Sequence, residues 1–161
     1  MVTAICDREV NCRRAASAAF QENVGRQGNE NFPHGIEILT AADYFSLGNR
    51  RNAYTEVSVQ VAKFPEYRTA IVDHLVKIKL RHWDPNLRFL SADALAKLTP
   101  LCPKHMRDVV LPFLCPLTLD SEVPVRSVRA RSARISIILL FHVAITSLKS
   151  QEYHLHRLLI S

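Results

Sequence analysis

Glycine is scarce in this 161-residue chain: the four that occur, Gly25, Gly28, Gly35 and Gly48, all lie in the first third. No glycine-rich phosphate loop can be built from them, and beyond residue 48 the sequence is free to form uninterrupted helices. Cysteine is sparse too, with Cys6, Cys12, Cys102 and Cys115. No secretory signal precedes them, because Met1 to Cys6 is short and runs at once into Asp7-Arg8-Glu9. There is no N-x-Ser/Thr acceptor, so the four are expected as reduced thiols of a cytoplasmic protein rather than as a disulfide framework. Cys102, His105 and Cys115 lack a fourth ligand at useful spacing for zinc, and His154 and His156 lack companions, so no metal or other cofactor is expected. G-x-S-x-G, H-E-x-x-H and a Cys–His pair in a recognisable setting are all missing, and no catalytic residue is expected. The longest apolar block, Ile135 to Ile145, is broken by Ser136 and His142 and falls well short of the roughly 20 residues needed to span a bilayer as a helix. A formal charge of +6 owes much to Arg126, Arg129, Arg131 and Arg134; elsewhere acids and bases are nearly balanced, and no nucleic-acid partner is expected.

What the chain does have is a repeat. Four segments share an acidic residue, a short turn and an arginine: Asp7 to Arg13, Asp43 to Arg50, Asp84 to Arg88 and Asp120 to Arg126. Successive arginines are 37, 38 and 38 residues apart. That period suits two helices and two turns, near the short end of the HEAT and armadillo range. The fold predicted is all-α, an α-solenoid of about three to four helical hairpins. Each corner aspartate is expected to cap the second helix of its hairpin, where its charge also complements the helix dipole. Pro85 after Asp84 suits a first helical position. Small and apolar residues follow at helical spacing, Ala15, Ala16, Ala19 and Phe20 in one repeat and Ala92, Leu95, Ala96 and Leu98 in another.

First helices are predicted over Pro33–Ala42, Tyr67–Leu80 and His105–Leu119, the last kinked or delayed by Pro112 and Pro116. One segment conflicts with its surroundings. Val57, Val59 and Val61 alternate as in a strand, yet a lone strand would have no partner and the phase demands a helix, so Tyr54–Phe64 is assigned as helix. The repeats are taken to occupy residues 1–126. Because the first corner comes at residue 7, the array is expected to open inside a repeat, with the apolar face of its alanine-rich helix uncovered. Residues 127–161 read as a divergent basic and apolar tail, helical or poorly ordered. Three readings of it stand side by side: a terminal helix packed on the last repeat, a basic amphipathic segment for a membrane surface or partner, and a non-native tail from alternative splicing or a shifted frame. Arg129-Ala-Arg131-Ser132 also resembles a site for basophilic kinases.

The candidate contact residues lie at the corners. His82 and Trp83 sit at a corner where exposed side chains can serve recognition, although Trp83 reads first as packing under the turn, with partner contact as the alternative. Arg50 and Arg51 are the other candidates for partner contact, although the four repeat arginines read first as structural, each hydrogen-bonding an aspartate of the next repeat in a ladder, with direct partner contact as the alternative. Asp73-His74 flanks an apolar stripe and reads as structural.

Ile5 to Gly28, Phe32-Pro-His-Gly-Ile36, Ala42-Asp-Tyr-Phe45, Gly48-Asn-Arg50, Phe64-Pro-Glu-Tyr67, Asp73-His-Leu-Val76 and His82-Trp-Asp84 together resemble the tubulin-specific chaperone D family, also called tubulin-folding cofactor D. The likeness is recognisable over residues 5–126, with a slightly longer spacer at Gly28 to Phe32, and suggests a fragment or shortened form of a larger protein. It implies a cytoplasmic HEAT-repeat chaperone associated with the microtubule cytoskeleton or centrosome. Such a chaperone binds β-tubulin, joins α-tubulin and other tubulin-folding cofactors, stimulates GTP hydrolysis by tubulin within that complex, and engages an Arf-like small GTPase. The alternatives from the residues alone are a HEAT-repeat adaptor of another class and a basic membrane- or nucleic-acid-binding module acting through the tail.

Overall fold

Where the sequence carries apolar residues at three- and four-residue spacing, the chain is helical, and among the described residues there is no strand. The computed structural model describes residues 1–114. They fall into two units, Met1–Leu101 and a second that begins at Cys102.

The first unit opens with a 3-10 turn, Ala4–Cys6, followed by helix α1 (Val10–Asn31). Gly28 breaks α1 with φ 70° and ψ −171°, a conformation that an L side chain resists, so this glycine is required by the backbone. A short helix α2 (Gly35–Ala41) packs against α1. Their close approach rests on Gly35, where an added Cβ would meet the Val24 methyls at 2.8 and 2.9 Å. The next helix is a composite: α3 (Arg50–Asn52), a π turn (Ala53–Val57) and α4 (Ser58–Val61). Then come α5 (Pro65–Lys77), a 3-10 turn (Lys79–Arg81) and α6 (Pro85–Leu98). Pro65 and Pro85 both open helices, where their missing N–H would have had no partner anyway.

Helix α2 packs on α1 and α4, the π turn and α4 pack on α6, and α5 packs on α6. This is the sequential stacking expected of helical hairpins. The Tyr54–Phe64 ambiguity resolves as helix through Val61. Val57 and Val61, one turn apart, are buried on one face, while Val59 is only half-buried. Leu87, Leu95 and Leu98 of α6 are fully buried, each contributing about 2 kcal/mol by area removed from water.

Several expectations are corrected. Among the described corner aspartates only Asp84 caps a helix, accepting a 2.9 Å hydrogen bond from the Asn86 N–H. Asp43 instead closes its own turn, accepting from the N–H groups of Phe45 (2.7 Å) and Ser46 (3.0 Å), and Asn49 is the cap of α3. Asp7 accepts from the Glu9 N–H at 2.8 Å, one residue ahead of where α1 starts. The cause is corner length: Pro85 starts its helix directly after the aspartate, whereas the longer first and second corners leave theirs in a preceding turn. The alanines of α1 do not make the contact expected of them. Ala15 and Ala19 are exposed, Ala16 is half-buried, and Phe20 and Val24 do the packing. Cys12 and Ala18 are exposed as well.

In the second unit, α7 (Pro103–His105) runs through a π turn (Met106–Val110) and stays helical to residue 114. It starts two residues earlier than predicted. The π turn stands directly ahead of Pro112, whose missing N–H leaves a gap in the helical ladder. Cys115, Pro116, Asp120, Arg126, the basic segment, the Ile135–Ile145 block and His154 and His156 lie outside the described residues.

Candidate functional site

The corner residues are gathered by an arginine that the sequence marked only as a repeat position. Arg13 on α1 is 2% exposed, and its guanidinium bridges two corners through four carbonyl oxygens. Within its own corner, Nη1 donates to Asp7 O and Arg8 O, each at 3.0 Å. Toward the next, Nε donates to Leu47 O at 2.8 Å and Nη2 to Gly48 O at 3.1 Å. The planar fork reaches carbonyls on both sides at once, which a lysine could not do. Arg88 repeats the first half of this pattern, Nη1 donating to His82 O and Trp83 O, each at 2.7 Å. The links therefore run chiefly to backbone carbonyls rather than from arginine to aspartate. The exception is Arg50, whose Nη1 lies 4.0 Å from Asp84 Oδ2 in the next repeat.

This clamp brings three corners to one spot. From the first, Arg8 reaches the third: its guanidinium carbon stands 4.7 Å over the Trp83 ring and its Nε is 3.9 Å from Asp84 Oδ2. From the second, Arg50 approaches the same carboxylate. Trp83 itself is 70% exposed, so it does not pack under the turn; it stands on the surface between Arg8 and the His82 ring, 5.3 Å away centroid to centroid. His82 is half-buried, and its Nδ1 accepts from the Asp84 N–H at 3.0 Å, which orders the corner. Arg51 is turned away from this group, lying 3.6 Å from Asp93 of α6. Of the four candidates, Arg50, His82 and Trp83 are brought together and Arg51 is not.

The corner is electropositive. Burial lowers the His82 pKa, and Lys79, Arg8 and Arg88 lower it further against the opposing pull of Asp84. Lys79 is 7% exposed and makes no ion pair among the described residues. Behind it, His74 also has a lowered pKa, by burial and then by Lys79, and its buried Nε2 has no hydrogen-bond partner. The Tyr54 hydroxyl ties the turn before the first corner to the core by donating to Cys6 O. The reading from sequence missed Arg8 and Lys79. Arg8 adjoins the corner aspartate and could have been noticed there, but nothing local shows that it reaches the third repeat.

A second exposed group lies at the second corner. Phe45 is 85% exposed, and Tyr44 and Ile36 stand out beside it. Arg14 stacks on Tyr44, 3.6 Å from the ring centroid, while donating to both its carbonyl and its hydroxyl. Arg14, Tyr44 and Ile36 border an open groove of about 410 Å³ between α1 and α2, lined also by Ser17, Ala18 and Leu39. No group of side chains suited to holding a metal ion occurs among the described residues, and no described helix is long and apolar enough to cross a membrane.

Comparison with known proteins agrees with the helical repeats. Residues 1–36 match a family model described as tubulin-specific chaperone D-like, ARM repeats. The chain is 39% identical over 141 residues to tubulin-specific chaperone D of Dictyostelium discoideum, covering 87% of this chain and 9% of that protein. It is 34% identical over 112 residues to tubulin-folding cofactor D of Schizosaccharomyces pombe, covering 70% of this chain and 10% of that protein. The first of these spans runs past Arg126 wherever it begins, further than the recognisable blocks of sequence reach. No solved structure matches. The chain thus spans about a tenth of the curated relatives it matches, and by sequence it is a relative of the tubulin-specific chaperone D family.

Proposed function

We propose that this chain is a protein-binding segment of a tubulin-folding cofactor, that it contributes to the capture of β-tubulin in the cytoplasm, and that the Trp83 corner is its contact surface. The observation that carries the reading is the exposure of Trp83 over Arg8 at a point where three repeats converge. Tryptophan and arginine are the residue types that dominate protein interfaces, and a rigid backbone beneath them lowers the ordering cost of binding. The likeness to tubulin-specific chaperone D supports tubulin as the partner. Joining of α-tubulin and other tubulin-folding cofactors, stimulation of GTP hydrolysis by tubulin, and contact with an Arf-like small GTPase belong, in this reading, to the assembled complex rather than to any residue described above. The chain acts by binding and not by catalysis.

Capture of tubulin by the immobilised chain tests this. Trp83→Ala removes a side chain that is mostly exposed, so helicity and melting temperature are expected to be unchanged while tubulin retained on the resin falls severalfold. Equal retention by the two proteins would remove the corner from the interface. A chain ending at Arg126 is expected to retain tubulin as the full one does.

A further inference from the structure

We infer that the Trp83 corner reads an acidic segment of its partner, a carboxylate bridging Arg8 and Arg50 while a neighbouring apolar side chain lies on the Trp83 ring. This rests on the docking surface proposed above and adds the chemistry of what docks there.

Arg8 and Arg50 have donors to spare. A guanidinium carries five N–H groups. Arg8 Nε lies 3.6 Å from Glu9 Oε1 and 3.9 Å from Asp84 Oδ2, and Arg50 Nη1 lies 4.0 Å from the same Asp84 oxygen. These are ion-pair separations, too long for hydrogen bonds. Neither side chain makes a hydrogen bond among the described residues, in contrast to Arg13 and Arg88 nearby, which spend theirs on carbonyls. Both are held in place all the same, Arg8 by the Trp83 face and Arg50 by its seat at the start of α3.

Charge balance points the same way. Arg8, Arg13, Arg50, Lys79 and Arg88 gather around Asp7 and Asp84, with Glu9 at the rim, while the second corner's Asp43 is spent on its own turn with Phe45 and Ser46. Asp84 is nearly buried and already accepts from the Asn86 N–H, so it neutralises only part of this group. Lys79 adds a buried positive charge beneath the surface and makes no ion pair among the described residues. An incoming carboxylate would complete hydrogen bonds that the fold leaves open, and charge-assisted bonds of this kind are the stronger sort. A nucleic acid fits less well. The cations form a knot interrupted by Asp84 and Glu9 rather than a stripe able to follow a phosphate backbone, and a single exposed aromatic offers one stacking face.

Trp83 is the chain's only tryptophan, so its emission reports on this corner alone. The experiment titrates the full chain with an octapeptide of alternating Glu and Leu, its Gln-for-Glu analogue, and a short single-stranded RNA. The Glu peptide is expected to shift the emission to the blue and protect the ring from iodide. Its affinity should drop about tenfold between roughly 0.05 M and 0.3 M salt, as screening weakens the charge contacts. Arg8→Gln with Arg50→Gln should weaken it by about tenfold or more, whereas Arg8→Lys with Arg50→Lys, which keeps the charges, should retain most of the binding. Matching far-UV circular dichroism melts separate this loss from misfolding. Binding of the Gln peptide as tight as that of the Glu peptide, tighter binding of RNA, or indifference to the double Gln change would each overturn the inference. Should the Glu peptide fail while tubulin capture still depends on Trp83, the acidic-segment assignment falls and the docking surface stands. If capture is indifferent to Trp83 as well, both fall.

Discussion

Replacing Arg13 by methionine should be among the most damaging single changes in the first unit, and the size of the effect follows from its bonds. The side chain is almost wholly buried and donates four hydrogen bonds, at 2.8, 3.0, 3.0 and 3.1 Å, that join the first corner to the second. A hydrogen bond from a charged donor contributes about 1.5–3 kcal/mol net, but the four share one side chain and do not add independently. The carbonyls of Asp7 and Arg8 are near the surface and can recover water, whereas that of Leu47, a fully buried residue, cannot easily do so. Methionine keeps most of the volume, so little cavity term is added. The cost expected for Arg13→Met is about 3–4 kcal/mol. Arg13→Lys keeps a charge but lacks the fork, and should cost about 1–2 kcal/mol. Urea unfolding of the full chain, followed by far-UV circular dichroism, measures both. A loss under about 1 kcal/mol for methionine, or none for lysine, would refute the view that this guanidinium clamps the repeats together.

Other perturbations probe separate parts of the structure. Gly35→Ala should destabilise by about 1–3 kcal/mol because its new methyl meets the Val24 side chain, and calorimetry should show a lowered Tm. Tyr54→Phe removes the hydroxyl that donates to Cys6 O and should cost about 1–2 kcal/mol in the same measurement. Stability should fall with acid through His74. Its folded pKa is lowered by burial and by Lys79, so the unfolded chain binds the proton more readily. The contribution is fully present above about pH 6.5 and is lost as pH falls from there toward the depressed folded value. His74→Gln should flatten that part of the urea-midpoint profile, and an unchanged slope would remove His74 as its source. Among the described cysteines, Cys12 should alkylate quickly at mildly alkaline pH. Cys6, buried and with its pKa pushed up to about 12, should react only on unfolding, as peptide mapping would show.

Much of this architecture was legible because it is periodic. The spacing of Arg13, Arg50 and Arg88 placed the hairpins in phase and was enough to override the alternating valines at residues 57–61. Local signals also fixed the start of α6, where Asp84 and Pro85 are adjacent. The proposed partner surface was legible only as a location. His82 and Trp83 could be assigned to a corner, but a large apolar ring there was expected to pack under the turn, and it stands out instead. What holds it out is the stacking of Arg8 from two repeats earlier, a contact between residues 75 positions apart. The burial of Ile5 and Cys6 ahead of the first corner was likewise hidden, since it depends on Tyr54 from the next repeat. The corner aspartates show the converse error: their common spacing suggested a common role, and differences of a few residues in turn length gave them different ones.

Hydrogen–deuterium exchange of the full chain with and without β-tubulin locates the contact surface. Binding at the corner predicts added protection in the peptides around Asp7–Arg14, Arg50–Tyr54 and Lys79–Arg88, together, with little change along the exposed alanine face of α1. Protection confined to that alanine face or to the Tyr44 groove, with the Trp83 corner exchanging as before, would contradict it.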